Sequence, residues 1–584
     1  MKEFKRLLLA IKQEWLLFLL GITLLIISTI LLYYCPRLIS DLLDYLTQTI
    51  QSHGSFETGK VLQLLTIYLI LSLLAVTLSY LSRVLTGIGS NRIVRWMRDQ
   101  AYARMQSLPV SFFDDKPAGK IASRIVNDTE TIRLKFYQTF STQILLNFTK
   151  VIGAYLALFY TDYRIAIPLL ILIPVFIYWQ QFYSKLVKPI NQYDRESSSE
   201  INSATSELVQ GISLIQSFNQ EEHVEQQFSK LSQSWLTNRL KYLKIEATLE
   251  WSLSNFIKIM VMVCFIAYIM AVNTQGNLVY SVGKFYLVMN YIMMLFDPLT
   301  NMVYMNVSLQ QALVAAHRVF ELLDSQVEED SDSIFQMQEG SVVFDHVCFA
   351  YQADHPVLQE INFKVKSGQT VALVGTTGSG KSSLMNLLMR FYDPQRGRIL
   401  IDGQDIKDFS RESVRDQMGI VLQEPYLFTG TVAENIRRYH QELTDDQLVE
   451  ALRRVGGGTL LAKLDQGIHT PLAERGQSLS SGERQLIAFA RTLVNDPKIL
   501  VLDEATSHID TQTERIIQNA MKVLQEGRTT FIIAHRLSTI LHADLILVLD
   551  KGQIVERGDH QSLLELDGFY ADIYNKQTQM AQSL

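Results

Sequence analysis

Between Gly375 and Ser382 the chain reads Gly-Thr-Thr-Gly-Ser-Gly-Lys-Ser. The apolar run Thr370-Val-Ala-Leu-Val leads straight into it, and Ser383-Leu-Met-Asn-Leu-Leu-Met follows with helical character. A buried strand, a glycine-rich loop and a helix in that order make the G-x-x-x-x-G-K-[ST] arrangement. Gly375, Gly378 and Gly380 let the backbone N–H groups of Gly375, Thr376, Thr377, Gly378, Ser379 and Gly380 converge on phosphate oxygens, and the start of the helix adds its dipole. Lys381 suits the β and γ phosphates of ATP, the Ser382 hydroxyl suits Mg2+, and Ser383 completes the ATP-binding set. About 120 residues on, Ile499-Leu-Val-Leu-Asp503-Glu504 is a second buried strand, ending in two carboxylates. Asp503 fits the Mg2+ shell through water, and Glu504 is placed to polarise an attacking water as general base. Strands often end in acids; what gives this pair meaning is the phosphate loop upstream.

These groups need a scaffold, and 584 residues are too many for a single core. The net charge of −6 makes no electrostatic case for nucleic acid. The composition is 48% hydrophobic, but the long apolar runs nearly all precede residue 310. Six spanning helices are expected near 15–34, 61–82, 139–160, 163–184, 252–273 and 280–303. The basic-then-apolar start resembles a signal peptide, yet it is long enough to span and no small-residue cleavage site follows, so it is read as retained. Met1 to Lys12 is basic and amphipathic and is expected to lie along the membrane surface. Arginines and lysines crowd the segment between the second and third spans, whereas the 161–164 turn and residues 273–283 carry almost none. That asymmetry places both termini in the cytoplasm. The segments 83–138 and 185–251 show helical periodicity and are expected to prolong the spans as stalks, each reversed by a turn, near 112–120 and 209–218. The expected division is a transmembrane domain over 1–320, an acidic linker over 321–340, and from 341 to 584 an ATP-binding domain whose alternating strands and helices argue for an α/β fold. Cys35, Cys264 and Cys348 have no metal spacing and are read as reduced, buried thiols.

The second half of the chain resembles the nucleotide-binding domain of ABC transporters, and the whole resembles an exporter-type half-transporter. The resemblance implies an all-α six-helix transmembrane domain with long cytoplasmic helical extensions, followed by a P-loop ATPase domain. It also implies roles for Tyr351 (in Val-Cys-Phe-Ala-Tyr) stacking on adenine, for Gln423 (in Val-Leu-Gln-Glu-Pro) sensing Mg2+ and water, for His535 (in Ile-Ile-Ala-His-Arg) contacting the γ-phosphate, and for Asp510 in a dimer-contacting loop. Glu504, His535 and Lys381 would then be the catalytic set. Ser111-Phe-Phe-Asp, Gly119-Lys-Ile-Ala-Ser-Arg124 and Asn127-Asp128 look like the first intracellular turn of such exporters, which docks on a nucleotide-binding domain.

One motif departs from the family. Its signature, Leu-Ser-Gly-Gly-Gln, caps the ATP of the opposite subunit; here the residues are Leu479-Ser480-Ser481-Gly482-Glu483. Ser481 replaces a glycine that lets backbone approach phosphate, and Glu483 puts a carboxylate at a helix start meant for an anion. His508, just before Asp510, departs too. An intact Lys381, Asp503, Glu504 and His535 beside an impaired signature resembles one half of a heterodimeric multidrug exporter of the bacterial plasma membrane. The alternatives are a homodimer tolerating the variant, a lipid exporter, a peptide exporter (disfavoured because no protease domain precedes the first span), or an ATP-gated regulatory protein, for which Glu504 would be superfluous.

Three charges fall well inside expected spans, whereas Arg164 and Lys284 lie near outer ends, where they reach water. Counted from the outer ends, Lys150 is about 15 Å deep, and Lys258 and Asp297 about 22 Å. Charges there pair or face a cavity. Asp297 is expected to pair with Lys258 or Lys150, or to meet a cationic small molecule in a polar cavity, unless Lys258 and Asp297 lie low enough to snorkel or be hydrated. The methionines and tyrosines of the last two spans suit varied apolar ligands, and equally suit helix packing.

Overall fold

The computed structural model describes every residue except 1, 54–56, 115, 140–142, 246, 249–252, 274–279, 329, 353, 439, 504–510, 535–539 and 583–584. It divides into two compact units, one of Met1–Ser107 with Lys116–Gln326, the other of Leu108–Asp115 with Val327–Leu584.

The first unit is helical. Its long helices are Trp15–Gln51, Thr58–Gln106, Leu145–Thr161, Leu172–Gln210, Glu221–Ile245, Leu253–Asn273 and Val282–Asp324. Among the described residues, four helices are long and apolar enough to cross a membrane by length and composition, and Leu145–Thr161 is a shorter apolar one. The 49 residues of Thr58–Gln106 reach about 73 Å, over twice a hydrocarbon core of about 30 Å, so this helix extends far beyond any bilayer. Ser28 donates to the Ala75 carbonyl at 2.7 Å and Ser82 to the Gly21 carbonyl at 2.6 Å, so hydroxyls bind the first two long helices where apolar solvent offers no alternative partner. Short helices at Ser111–Asp114, Ala118–Ser123 and Ile212–Ser217 occupy the two expected turns.

One expectation is corrected here and two gain detail. The fourth span is one apolar stretch, Tyr163–Gln210, with a turn at 170–171 between the helices Tyr163–Leu169 and Leu172–Gln210. Pro174 has no N–H to give the Leu170 carbonyl, which leaves the break at that turn. The N-terminal helix Lys2–Ala10 buries part of its apolar side within the helical unit and leaves Leu8 and Leu9 exposed. Leu7 is fully buried against Ile93, Phe136, Ala316 and Phe320, and Arg6 pairs with Asp324 at 2.6 Å. Of the cysteines, Cys35 is buried but Cys264 is exposed. The motif residues Arg124 and Asp128 are also buried, and bond the last helix through Glu321 at 3.3 Å and the Arg318 Nε at 2.8 Å.

The second unit is built on two sheets. Strands β1 (Val342–Gln352), β2 (His355–Val365), β3 (Thr370–Gly375), β4 (Arg396–Ile401), β5 (Gln404–Asp405) and β6 (Met418–Val421) are followed by β7 (Gly430–Thr431), β8 (Pro471–Leu472), β9 (Ile499–Asp503), β10 (Thr529–Ile533), β11 (Leu545–Asp550) and β12 (Gln553–Gly558). An antiparallel sheet runs β2-β1-β4-β5 and a mostly parallel one β12-β11-β3-β10-β9-β6. Phe344, Val347, Leu373, Leu384 and Val501 fill the space between them. A second core joins Leu448, Leu486, Phe489 and Ile517 of the helices to Leu500, Leu502 and Ile532 of β9 and β10.

The residues read as a linker are part of this unit from Val327 onward. Phe335 and Met337 are buried in its core, with their N–H groups bonded to Ser413 Oγ at 2.9 Å and Gln417 Oε1 at 2.7 Å. The acidic side chains have partners too. Glu328 pairs with Arg411 at 3.0 Å, and Asp330 takes the Arg411 N–H at 3.0 Å and lies 3.7 Å from Arg390. Arg390 and Arg411 are almost wholly buried, and such cations need carboxylates around them.

Candidate functional site

The parallel strands deliver the candidate residues to one edge. Gly375 ends β3, Asp503 ends β9 opposite Ile533 of β10, and Gln423 comes two residues after β6. Carboxyl ends of parallel strands are where open α/β sheets bind ligands. Glu504, His508, Asp510 and His535 lie outside the described residues.

The phosphate loop joins β3 to the helix Lys381–Leu388. Thr376, Thr377, Gly378 and Ser382 are exposed at its crest, whereas Ser379, Gly380, Lys381 and Ser383 are buried. A Cβ on Gly375 would sit 2.2 Å from the Leu549 carbonyl oxygen, and Gly380 has a φ of +104° with Leu358 2.6 Å from where its Cβ would be. Both positions therefore require glycine. Lys381 Nζ donates to the carbonyls of Gly375 at 2.8 Å and Thr376 at 2.9 Å. Burial pulls this ammonium below its ordinary pKa, against the attraction of Asp503. A half-stripped cation among exposed backbone, over a cradle that admits no side chain, fits a polyphosphate with its Mg2+.

Tyr351, next to last in β1, is about half exposed; its hydroxyl donates to Ser383 Oγ at 3.2 Å and accepts from Asn386 at 3.1 Å. Its ring stands perpendicular to that of Tyr392, with centroids 5.1 Å apart. The Tyr392 hydroxyl in turn donates to the carboxylate of Asp114, in the Ser111-Phe-Phe-Asp segment. Burial first, and Asp114 second, push the Tyr392 hydroxyl pKa well up. Sequence reasoning missed Tyr392, because no spacing links residues 114 and 392.

The degenerate motif opens the helix Ser481–Val494. Ser480 accepts the Glu483 N–H at 3.2 Å, and the Glu483 carboxylate accepts the Ser480 N–H at 2.9 Å, a closed capping box. Lys463 reaches the same carboxylate at 3.0 Å. Burial raises the Glu483 pKa, but the Ser480 N–H and Lys463 outweigh it and hold the group ionised. Ser481 is exposed, and at Gly482 a Cβ would lie 2.3 Å from Thr513 Cγ2. Arg491, on the same helix, was also missed. It donates to the Asn435 carbonyl at 2.7 Å and the Tyr426 carbonyl at 3.2 Å, and so ties this helix to the loop after Gln423. Burial, then Arg438, pulls its pKa down to about 10.

Of the three intramembrane charges, the structure brings two together. Lys258 and Asp297 are 3.7 Å apart, so the alternative pairing of Asp297 with Lys150 does not form, and Lys150 lies in a separate cavity with Arg83.

Residues 18–299 match the family profile described as the ABC transporter transmembrane region, and residues 358–507 match the one described as ABC transporter. A Bacillus subtilis (strain 168) ABC transporter ATP-binding/permease protein, YheH, named for multidrug resistance, is 42% identical over 90% of this chain and 78% of its own length. The multidrug resistance-like ATP-binding protein MdlB of Buchnera aphidicola (subsp. Schizaphis graminum) is 33% identical, with 92% of each chain covered. Among solved structures, a bacterial Atm1-family ABC exporter with ATP bound superposes with a TM-score of 0.78 at 27% identity, over 97% of this chain and 98% of that one.

Proposed function

Because the chain belongs to the ABC transporters, as an exporter half-transporter that hydrolyses ATP to drive transport across a membrane it crosses several times, we propose that it exports hydrophobic or amphipathic compounds as one subunit of a heterodimer. The names of its relatives support the multidrug class of cargo. The basic segment between the second and third spans supports cytoplasmic termini. Lys381 and the loop from Gly375 to Ser383 hold the phosphates, Tyr351 carries the adenine, Glu504 takes the proton of the attacking water, and His535 contacts the γ-phosphate. Mg2+, held by Ser382, Gln423 and (through water) Asp503, would screen charge on the phosphates.

The signature carries the heterodimer. An ionised Glu483 and an exposed Ser481 occupy the helix start that should meet the γ-phosphate of the opposite subunit's ATP. The partner would supply an intact signature over this chain's ATP, and the second site would turn over slowly. The test is ATPase of this subunit purified alone and with its co-expressed partner. We expect the lone subunit to run at roughly a tenth of the pair's rate or less, the loss of about 1.4 kcal/mol or more at the transition state. Robust ATPase and transport by the lone chain would replace this reading with a homodimer.

The Tyr392–Asp114 bond, with Tyr351 packed on Tyr392, supports a route from the ATP site to the Leu108–Asp115 segment, which the chain continues into the helices of the membrane domain. Tyr392→Phe keeps the ring and removes the bond. The expected result is a transport rate per ATP hydrolysed that falls roughly three- to tenfold, the order of the net worth of one hydrogen bond. An unchanged ratio in proteoliposomes would show that the bond transmits nothing.

A further inference from the structure

Lys150 stands about 16 Å before the end of its helix at Thr161, well inside the apolar layer. An intramembrane cation pairs with a carboxylate or faces a polar cavity. Asp297 is bound to Lys258 and attracts Lys150 only from beyond ion-pair distance. Lys150 instead lines a cavity of about 520 Å³ with Arg83, Gln138, Gln143, Asn147 and Asn301. Among the described residues, no carboxylate lines this cavity and none pairs with Lys150 or Arg83. The larger cavity of the helical unit, about 880 Å³, differs in kind: Asp41 stands among its Arg37 and Lys284. The smaller one therefore combines two cations of one sign with amide donors, in a volume that suits a small ligand.

We propose that this cavity binds the anionic head of an amphipathic molecule, a phosphate ester. Lys150 is its half-buried point charge, exposed Arg83 offers a planar fork to two oxygens, and the exposed Gln143 and Asn301 amides donate to the rest. Bilayer phospholipid and a free phosphorylated amphiphile share that chemistry. The inference rests on the exporter reading and adds to it a substrate chemistry opposite in charge to the cationic compounds that Asp297 suggested.

The experiment measures equilibrium binding of radiolabelled dodecyl phosphate, without ATP, to the full chain with its co-purified partner in phosphatidylcholine nanodiscs. Dodecyltrimethylammonium serves as the cationic control. Saturable binding of the phosphate is expected, with Kd raised roughly tenfold or more by Lys150→Gln and by Arg83→Gln, and largely restored by Lys150→Arg. Arg83 is exposed, so its variant carries the test even if Lys150→Gln fails to fold. Competition by phosphatidylglycerol in the nanodisc assigns the site to a bilayer headgroup, and absence of competition to a free amphiphile. Unchanged affinity in both glutamine variants, or preference for the cation, overturns the proposal. Because no ATP is present, a failure of ATP-driven transport would sink the exporter reading while leaving this result standing.

Discussion

Lys381→Met lowers ATPase by roughly two to three orders of magnitude, as removal of a preorganised charge at a reacting oxygen does elsewhere. The side chain is almost wholly buried and, among the described residues, its hydrogen bonds go to loop carbonyls and Ser379, within the phosphate loop itself. Methionine fills similar volume without a desolvated ammonium, and the domain stays folded. Lys381→Arg also fails, because a planar five-donor fork does not fit where a compact ammonium meets two adjacent carbonyls. Steady-state ATPase with a thermal melt in the presence and absence of ATP checks both halves. A variant within threefold of the parent rate would remove Lys381 from the ATP site.

Asp402→Ala destabilises the ATPase unit by about 3 kcal/mol, through loss of hydrogen bonds to a charged group. Asp402 and Gly403 form the two-residue turn between β4 and β5, both with positive φ, which aspartate tolerates far better than alanine. Its carboxylate accepts the N–H groups of Gln338 at 2.8 Å, Glu339 at 3.0 Å, Gly340 at 2.9 Å and Ser341 at 2.8 Å. One side chain thus anchors the whole entry into β1. Burial pushes its pKa up, but the four N–H groups together outweigh burial and leave it below the ordinary value. A depressed folded-state pKa means the stabilisation is complete above about 3.9, the unfolded value, and is lost as pH falls through the folded one. The gap between parent and alanine variant is therefore flat from neutral pH to about 5 and narrows below about 4. For a unit of this size the neutral-pH shift in melting temperature is about 6–12 °C. A gap that widened in acid would contradict the assignment.

The catalytic vocabulary was legible because it is local. A phosphate loop needs glycines at fixed offsets between a strand and a helix, and Gly375 to Lys381 have them within a few residues. Spans were legible for the same reason, since a bilayer demands a minimum apolar length. The break at 170–171 needed the hydrogen-bond consequence of Pro174, and the buried side of Lys2–Ala10 needed a partner from elsewhere in the chain. The acidic stretch over 321–340 read as a linker because the buried cations its carboxylates meet, Arg390 and Arg411, lie some 60 to 80 residues away.

By itself, then, the sequence determined a membrane-embedded ATPase and the chemistry of its phosphate loop, because each rests on contiguous residues that constrain themselves. Tertiary structure decided which charges meet. It gave Asp297 to Lys258 and left Lys150 to a cavity with Arg83, set Tyr392 on Asp114, and turned Glu483 onto Ser480 and Lys463. Electrostatic pairing falls off with distance in space, and neighbours in space are set by packing of whole helices and sheets, which no local pattern of residues encodes.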